Sequence, residues 1–325
     1  MACYNVVVST APSENPVLSV ITRSGRVESW HRGAVAVYHG GQPALMMGDT
    51  ERVIFARSAV KPLQALPLFA HGVLQRLALP PGELAVICAS HDGTEEHVAA
   101  VRSLLNRGGL DEAMLGCGPH APFANDARQE MFRRGDKPLK VHNNCSGKHS
   151  GFLHLAKALG DDLATYLAPE SPTQQAVNEA VAEMAGLSAP LVTGLDGCGA
   201  PTFLLSLSEL ARAFCQLANP EGRSAVRADA CRSILEAVGQ EPALLAGKQR
   251  LCTALVRMWP GQSFAKNGAE GVYVLALAPD TRRSRWPGAL GISIKIDDGA
   301  ERGYQPVVID LLRWLGAFDG DRVPE

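Results

Sequence analysis

Paired cysteine spacing is missing from this sequence. Its eight cysteines, Cys3, Cys88, Cys117, Cys145, Cys198, Cys215, Cys231 and Cys252, are scattered, and no Cys-x-x-Cys pair suggests a zinc ribbon or a dithiol redox motif. The N-terminal "MACYNVVVSTAPSENP" lacks a basic region followed by a long apolar one. Reduced thiols in a cytoplasmic protein are therefore expected rather than a disulfide framework. No stretch approaches the roughly 18 uninterrupted apolar residues of a membrane span. Charge of one sign is also lacking. A formal net charge of −2 exerts no pull toward nucleic acid or anionic membranes, and the one dense basic run, "TRRSRW" at 281–286, reads as a solvated loop. A Walker loop, a dinucleotide fingerprint, His-Glu-x-x-His and Gly-x-Ser-x-Gly are all absent.

What is present is apolar and periodic. With 46% hydrophobic and 20% charged residues over 325 positions, the chain can bury a large core. The first fifty residues read as a β-meander, with "PVLSVITRSG", "RVESWHRGAVAVYHG" and "QPALMMGDT" separated by glycine turns. Helical periodicity begins at Ser58, with Ala59, Leu63, Leu66 and Ala70 on one face; Pro67 is expected to end or kink that helix. Helices are predicted at 94–108, 171–186, "SLSELARAFCQLAN" and "SAVRADACRSILEAVG". Strands return in "GVYVLALAP" and "LGISIKIDDG", and "YQPVVIDLLRWLGAF" closes the chain as an amphipathic helix. The expected fold is α+β, in one catalytic domain spanning 1–325. Its β-rich ends, 1–57 and 266–325, pair in an antiparallel or mixed sheet around an inserted helical cluster, 58–265.

Against this pattern, "FARSAVKPLQALPLF" places Ser58 and Lys61 three residues apart in apolar text. Positions i and i+3 of a helix share a face, and desolvation pushes a lysine toward its neutral form. A neutral amine beside a hydroxyl is a base beside a nucleophile. The same residues also suit a helix-start serine and a snorkelling lysine. Four islands rich in glycine and reactive side chains accompany them: "CASHDGTEEH", "HNNCSGKHSGF", "GLDGCGAP" and "FAKNGAEG". Each alone is an ordinary turn; together they point to loops that carry a site. Spacing by itself gives zinc little support, although Cys145, Lys148 and Cys198 could converge. The chemistry on offer is acyl transfer by serine and lysine.

Taken together, "RSAVKPLQ", "SHDGTEEH", "NNCSGKHSGFL", "GLDGCGAPTF" and "FAKNGAEGVY" resemble the Rhizobium-type asparaginases, the class 3 or asparaginase II type, in family order. The resemblance implies a fold similar to serine β-lactamases and glutaminases. It implies two Ser-Lys tandems, Ser58 with Lys61 and Ser90 with Lys266, and a zinc ion held by Cys145, Lys148 and Cys198. It also implies that Asp196 lies close to that metal and the substrate, and that the protein is a homodimer acting on L-asparagine. Arg57, His91 and Asp196 are candidates for holding the charged ends of the substrate, or equally for structural ion pairs and hydrogen bonds. Which lysine is the base stays open. The competing readings are another Ser-Lys amidohydrolase, directed at glutamine or a lactam, and a zinc-thiolate binding or redox-sensing protein.

Overall fold

β-branched residues after Pro16 build the first hairpin. The structure is a computed structural model that describes residues 15–280, 282–283 and 285–318. Strands β1 (Val17–Arg23) and β2 (Arg26–His39) are joined by Ser24 and Gly25, both at positive φ (49° and 76°). That pairing matches the right-handed twist of the strands it joins. Strand β3 (Gln42–Met47) returns along β2 after Gly40 and Gly41. Then follow β4 (Val53–Phe55), β5 (Thr193–Leu195), β6 (Pro201–Ser206), β7 (Ser263–Gly268), β8 (Val272–Leu277) and β9 (Leu290–Ile296).

The main sheet is antiparallel, in the order β1-β2-β9-β8-β7, with β3 also paired to β2. Strands from both ends of the chain thus meet, as expected, with Val35 opposite Ile294 and Val37 opposite Ile292 at the seam. These four side chains are at most 2% exposed, and burying each contributes about 1.5–3 kcal/mol. Helix Leu207–Ala218 covers this sheet with Leu210, Phe214 and Leu217. It can lie so close because β9 has Gly291 there: a Cβ would come within 2.0 Å of the Ala211 carbonyl oxygen.

The helical grammar holds at several ends. Ser171 caps helix Pro172–Ala185 by accepting from the Gln174 N–H, and Ser206 with Glu209 forms a reciprocal capping box. Thr94 is an exception, because its hydroxyl meets the His97 ring at 2.7 Å instead of the backbone of helix Glu95–Arg107.

Four expectations need correction. The middle of the chain contains strands: β5 and β6 lie in the stretch expected to be helical and join β4 in a second, three-stranded sheet in the order β4-β6-β5, and "GLDGCGAP" spans the hairpin turn between β5 and β6. β5, at three residues, is too short to show alternation, and β6 is buried along nearly its whole length and shows none. "FAKNGAEG" is not a free loop, since most of it is β7, the edge strand of the main sheet. Pro67 does not end its helix, which runs Lys61–Ala70 with every residue from Lys61 to Phe69 buried. Packing against helices Ser146–Leu159, Pro172–Ala185 and Ala225–Gln240 sustains the helix across the proline. In the basic run, Arg283 is buried and donates to the carbonyls of Ala278, Trp286 and Gly288.

The seven described cysteines are free and buried; Cys3 and most of the N-terminal stretch lie outside the described residues. Among the described residues no helix is long and apolar enough to cross a membrane.

Candidate active site

The site begins at a strained corner. β4 ends at Phe55, and a short 3₁₀ turn, Arg57–Val60, leads into helix Lys61–Ala70. Arg57 has φ 51°, left-handed backbone that costs a non-glycine residue on the order of 1–2 kcal/mol. Its N–H donates to Thr202 Oγ1 at 3.0 Å, and its Nε donates to Asp196 Oδ1 at 2.8 Å. Ser58 follows, half-buried, and its hydroxyl has no hydrogen-bond partner among the described residues. At the second position of a helical turn, its N–H is also unused by the helix.

Lys61 does not turn back to Ser58. Its amine, 1% exposed, donates to Ser90 Oγ at 3.0 Å, to Asn144 O at 3.3 Å and to Ala89 O. Three N–H donors meet three acceptors. The contact therefore joins Ser90 to Lys61, where Ser58 with Lys61 and Ser90 with Lys266 were the expected pairs. The reason is local. The i, i+3 rule describes a regular α-helix, whereas Ser58 sits in a 3₁₀ turn behind a left-handed residue, and nearby carbonyls draw the amine inward.

Lys266 arrives from β7, the strand that passes the corner so closely that a Cβ on Gly268 would lie 3.0 Å from Ala56 O and 3.2 Å from Ala59 N. Its amine is fully buried and donates to Asn267 O at 2.8 Å and Asn267 Oδ1 at 3.2 Å. Burial, reinforced by the charge of Lys61, pushes its pKa down to about 7. Neither lysine has a carboxylate partner among the described residues.

Cys145 precedes helix Ser146–Leu159, Lys148 lies within its first turn, and Cys198 comes from the β5–β6 turn. They converge. Lys148 Nζ donates to Cys198 Sγ at 3.2 Å, and the Cys145 and Cys198 thiols are close enough to couple their titration. All three residues are buried. The neighbouring Cys198 thiol, aided by Lys61 and Lys148, holds the Cys145 thiol well below the usual thiol range against the opposing effect of burial. Burial opposes the Lys148 charge, but the facing sulfurs and Asp196 outweigh it and raise its pKa. Asp196 is likewise opposed by burial and held below the carboxylate range by Lys148 and Arg57. No trio drawn only from His, Cys, Asp and Glu is grouped for a metal among the described residues. The donor set here is two sulfurs and an amine. Those donors fit zinc, provided the lysine gives up its proton.

Of the substrate-contact candidates, Arg57 and Asp196 pair with each other through Nε, and neither terminal guanidinium nitrogen of Arg57 has a hydrogen bond among the described residues. His91 is fully buried, and both of its ring nitrogens are taken. Nδ1 accepts from the Gly93 N–H at 3.2 Å, so Nε2 carries the proton and donates to Ser146 Oγ at 2.9 Å, which in turn donates to Val141 O. Its ring also stacks on His97 at 5.0 Å. His91 thus has no ring nitrogen left for a substrate; it fastens the "SHDG" island to the "NNCSGK" island. Asn144 does the same, its carbonyl accepting from both the His91 N–H and Lys61. Sequence reasoning missed Thr202, Asn144 and Asn267. All three lie within or beside the glycine-rich islands, but a threonine or asparagine there carries no signal of its own. A cavity of about 250 Å³ lies beyond the corner, lined in part by Arg52, Glu270 and Lys295; it shares Arg57 with the site and none of the serines or lysines above.

The family model of L-asparaginase II matches residues 19–324. No curated protein matches the sequence. Among solved structures, a probable glutaminase from Bacillus subtilis complexed with 6-diazo-5-oxo-L-norleucine is 14% identical, with 87% of this chain and 84% of that chain covered and a TM-score of 0.39. A β-lactamase from Sphaerobacter thermophilus is 13% identical over 89% of this chain and 92% of that one, with a TM-score of 0.46. A third, from Burkholderia ambifaria and also a β-lactamase, is 15% identical over 88% and 94%, with a TM-score of 0.45.

The histidine stack makes stability depend on pH. His97 Nδ1 accepts from Thr94, and its Nε2–H donates to Ala243 O at 3.1 Å, so the ring is held neutral. Burial lowers its pKa to about 4, against about 6.5 in an unfolded chain. Between those values the unfolded chain binds a proton that the native ring refuses, so stability falls as pH drops from about 6.5 to 4. Replacing His97 with Gln should make the slope of unfolding free energy against pH shallower there by about 1.4 kcal/mol per pH unit. Urea titrations at several pH values would read it, and an unchanged slope would contradict the assignment.

Proposed function

The chain belongs to the L-asparaginase II family, which makes it an amidohydrolase, and we propose that it hydrolyses L-asparagine to L-aspartate and ammonia through a serine acyl-enzyme. One observation carries this reading. Two buried lysine amines have no carboxylate partner among the described residues: Lys61, 3.0 Å from Ser90 Oγ, and Lys266, on the strand whose Gly268 lies close to the corner that presents Ser58.

In this reading Ser58 is the nucleophile, because its hydroxyl is half-buried and unengaged, whereas Ser90 is 6% exposed. Lys266, near neutrality, takes the Ser58 proton as Oγ attacks the side-chain amide carbon. Ser90 and Lys61 complete the proton path. The unused Ser58 N–H is a donor for the tetrahedral oxyanion. Ammonia leaves with a proton from a lysine ammonium, and water then cleaves the ester to release aspartate and free serine. The terminal nitrogens of Arg57 suit the substrate's carboxylate, and Asp196 its ammonium. Cys145, Lys148 and Cys198 would hold zinc. When bound, the ion supplies a fixed positive charge beside Asp196 that helps grip the substrate. Glutamine differs by one methylene, worth only about 1–3 kcal/mol of discrimination in a pocket, so rates on both amides are needed to assign the substrate.

A second reading makes Ser90 the nucleophile, favoured by its direct contact with Lys61. Acid quenching during turnover and peptide mass mapping would separate the two. An aspartyl adduct on the Ser58 peptide, with activity nearly abolished in Ser58→Ala, is expected; an adduct on the Ser90 peptide would reverse the roles.

Because Lys266 acts as an unprotonated amine with a pKa of about 7, kcat/KM for asparagine should rise with pH through neutrality and level off above it. Lys266→Met should abolish that limb along with most of the activity. A profile flat from pH 6 to 8, about one unit either side, would argue against Lys266 as the base.

Purified protein should bind about one zinc per chain, the stoichiometry of a single four-coordinate site, and Cys145→Ser should lose it by elemental analysis. Chelation should raise KM more than it lowers kcat, reversibly. Loss of kcat with KM unchanged would assign the ion to the chemical step instead.

A further inference from the structure

Among the described residues, four other than glycine have positive φ: Ser24, Arg57, Ala78 and Glu270. Ser24 lies in the β1–β2 turn, Ala78 ends helix Val73–Leu77, and Glu270 lies in the β7–β8 turn. Arg57 is different, standing between a strand and the helical turn that presents Ser58. No glycine, asparagine or aspartate in the local sequence "FARSAV" makes a left-handed residue easy there. The conformation is held from elsewhere. The Arg57 N–H donates to Thr202 Oγ1 at 3.0 Å, the Ala56 N–H donates to Phe203 O at 2.9 Å, and Arg57 Nε donates to Asp196 Oδ1 at 2.8 Å. All three acceptors belong to the β5–β6 hairpin. Gly268 of β7 also lies close to the corner, where an added Cβ would come within 3.0 Å of Ala56 O. The corner is gripped between the two sheets.

Thr202 is 3% exposed, and its hydroxyl is the hydrogen-bond acceptor of the amide next to Ser58. We propose, resting on Ser58 as nucleophile, that Thr202 is a positioning residue whose hydroxyl keeps Arg57 left-handed and so aims Ser58 Oγ at the substrate amide carbon. Without that acceptor, Arg57 loses a tie holding it in the disfavoured region. Relaxation to ordinary φ rotates the chain immediately before Ser58. A displacement of about 1 Å at a nucleophile costs roughly a hundredfold in rate. The same relaxation releases strain, which offsets part of the lost hydrogen bond. Activity should therefore suffer far more than stability.

The test compares Thr202→Val, which keeps the shape and removes the hydroxyl, with Thr202→Ser, which keeps the hydroxyl. The valine variant should lose about ten- to a hundredfold in kcat, a larger effect than the rise in KM that follows from moving Arg57, with Tm lowered by only a few degrees. The serine variant should recover most of kcat. Should the valine variant not fold, Thr202→Cys, with a weaker acceptor of similar volume, carries the same expectation. Wild-type kcat in the valine variant would overturn the proposal, as would a serine variant as slow as the valine one. Ser58→Ala run in parallel separates the two levels. Activity surviving there removes the nucleophile and this proposal with it, whereas a dead Ser58→Ala beside a fully active Thr202→Val removes the positioning role alone.

Discussion

Two lysine amines share one dry interior, and the rest of the site follows from that. Lys61 and Lys266 are 1% and 0% exposed, and no carboxylate among the described residues pairs with either. A buried ammonium has to find acceptors or lose its proton. The acceptors are divided unequally. Lys61 has two carbonyls and the Ser90 hydroxyl around it; Lys266 has only the acceptors of Asn267, and its pKa drops to about 7 under burial and the repulsion of Lys61. In the proposed hydrolysis, an amine near neutrality can take a proton from serine and return it to the leaving ammonia.

Bringing those groups together takes the whole fold. Ser58 and Lys61 come from the corner after β4, Ser90 from the loop after helix Pro81–Ile87, and Lys266 from the edge strand β7. The sheet made from both ends of the chain sets β7 against the corner, and the small β4-β6-β5 sheet holds the corner from the other side. Asp196 then links the Ser58 corner to the Cys145, Lys148 and Cys198 cluster, because its carboxylate is paired with Arg57 and also feels Lys148. A change at Cys198 or Lys148 therefore has a short physical route to Ser58.

By itself the sequence determined the long strands, the capped helices and the cast of reactive residues. The β-rich run "RVESWHRGAVAVYHG" between glycine turns, the Ser206–Glu209 capping box and apolar residues at helical spacing are local signals, and local backbone physics enforces them. Glycine beside Ser, Cys, Lys and His marked the islands for the same reason. Tertiary structure alone decided the pairings. Lys61 reaches Ser90 rather than Ser58 because carbonyls 28 and 83 residues further along the chain surround its amine. His91 is spent on Ser146 and Gly93, Pro67 is carried through its helix by packing on every side, and β5 and β6 exist because their residues find partners across a hairpin. A side chain's partner depends on which distant backbone groups are left unpaired nearby, and residue spacing along the chain does not encode that.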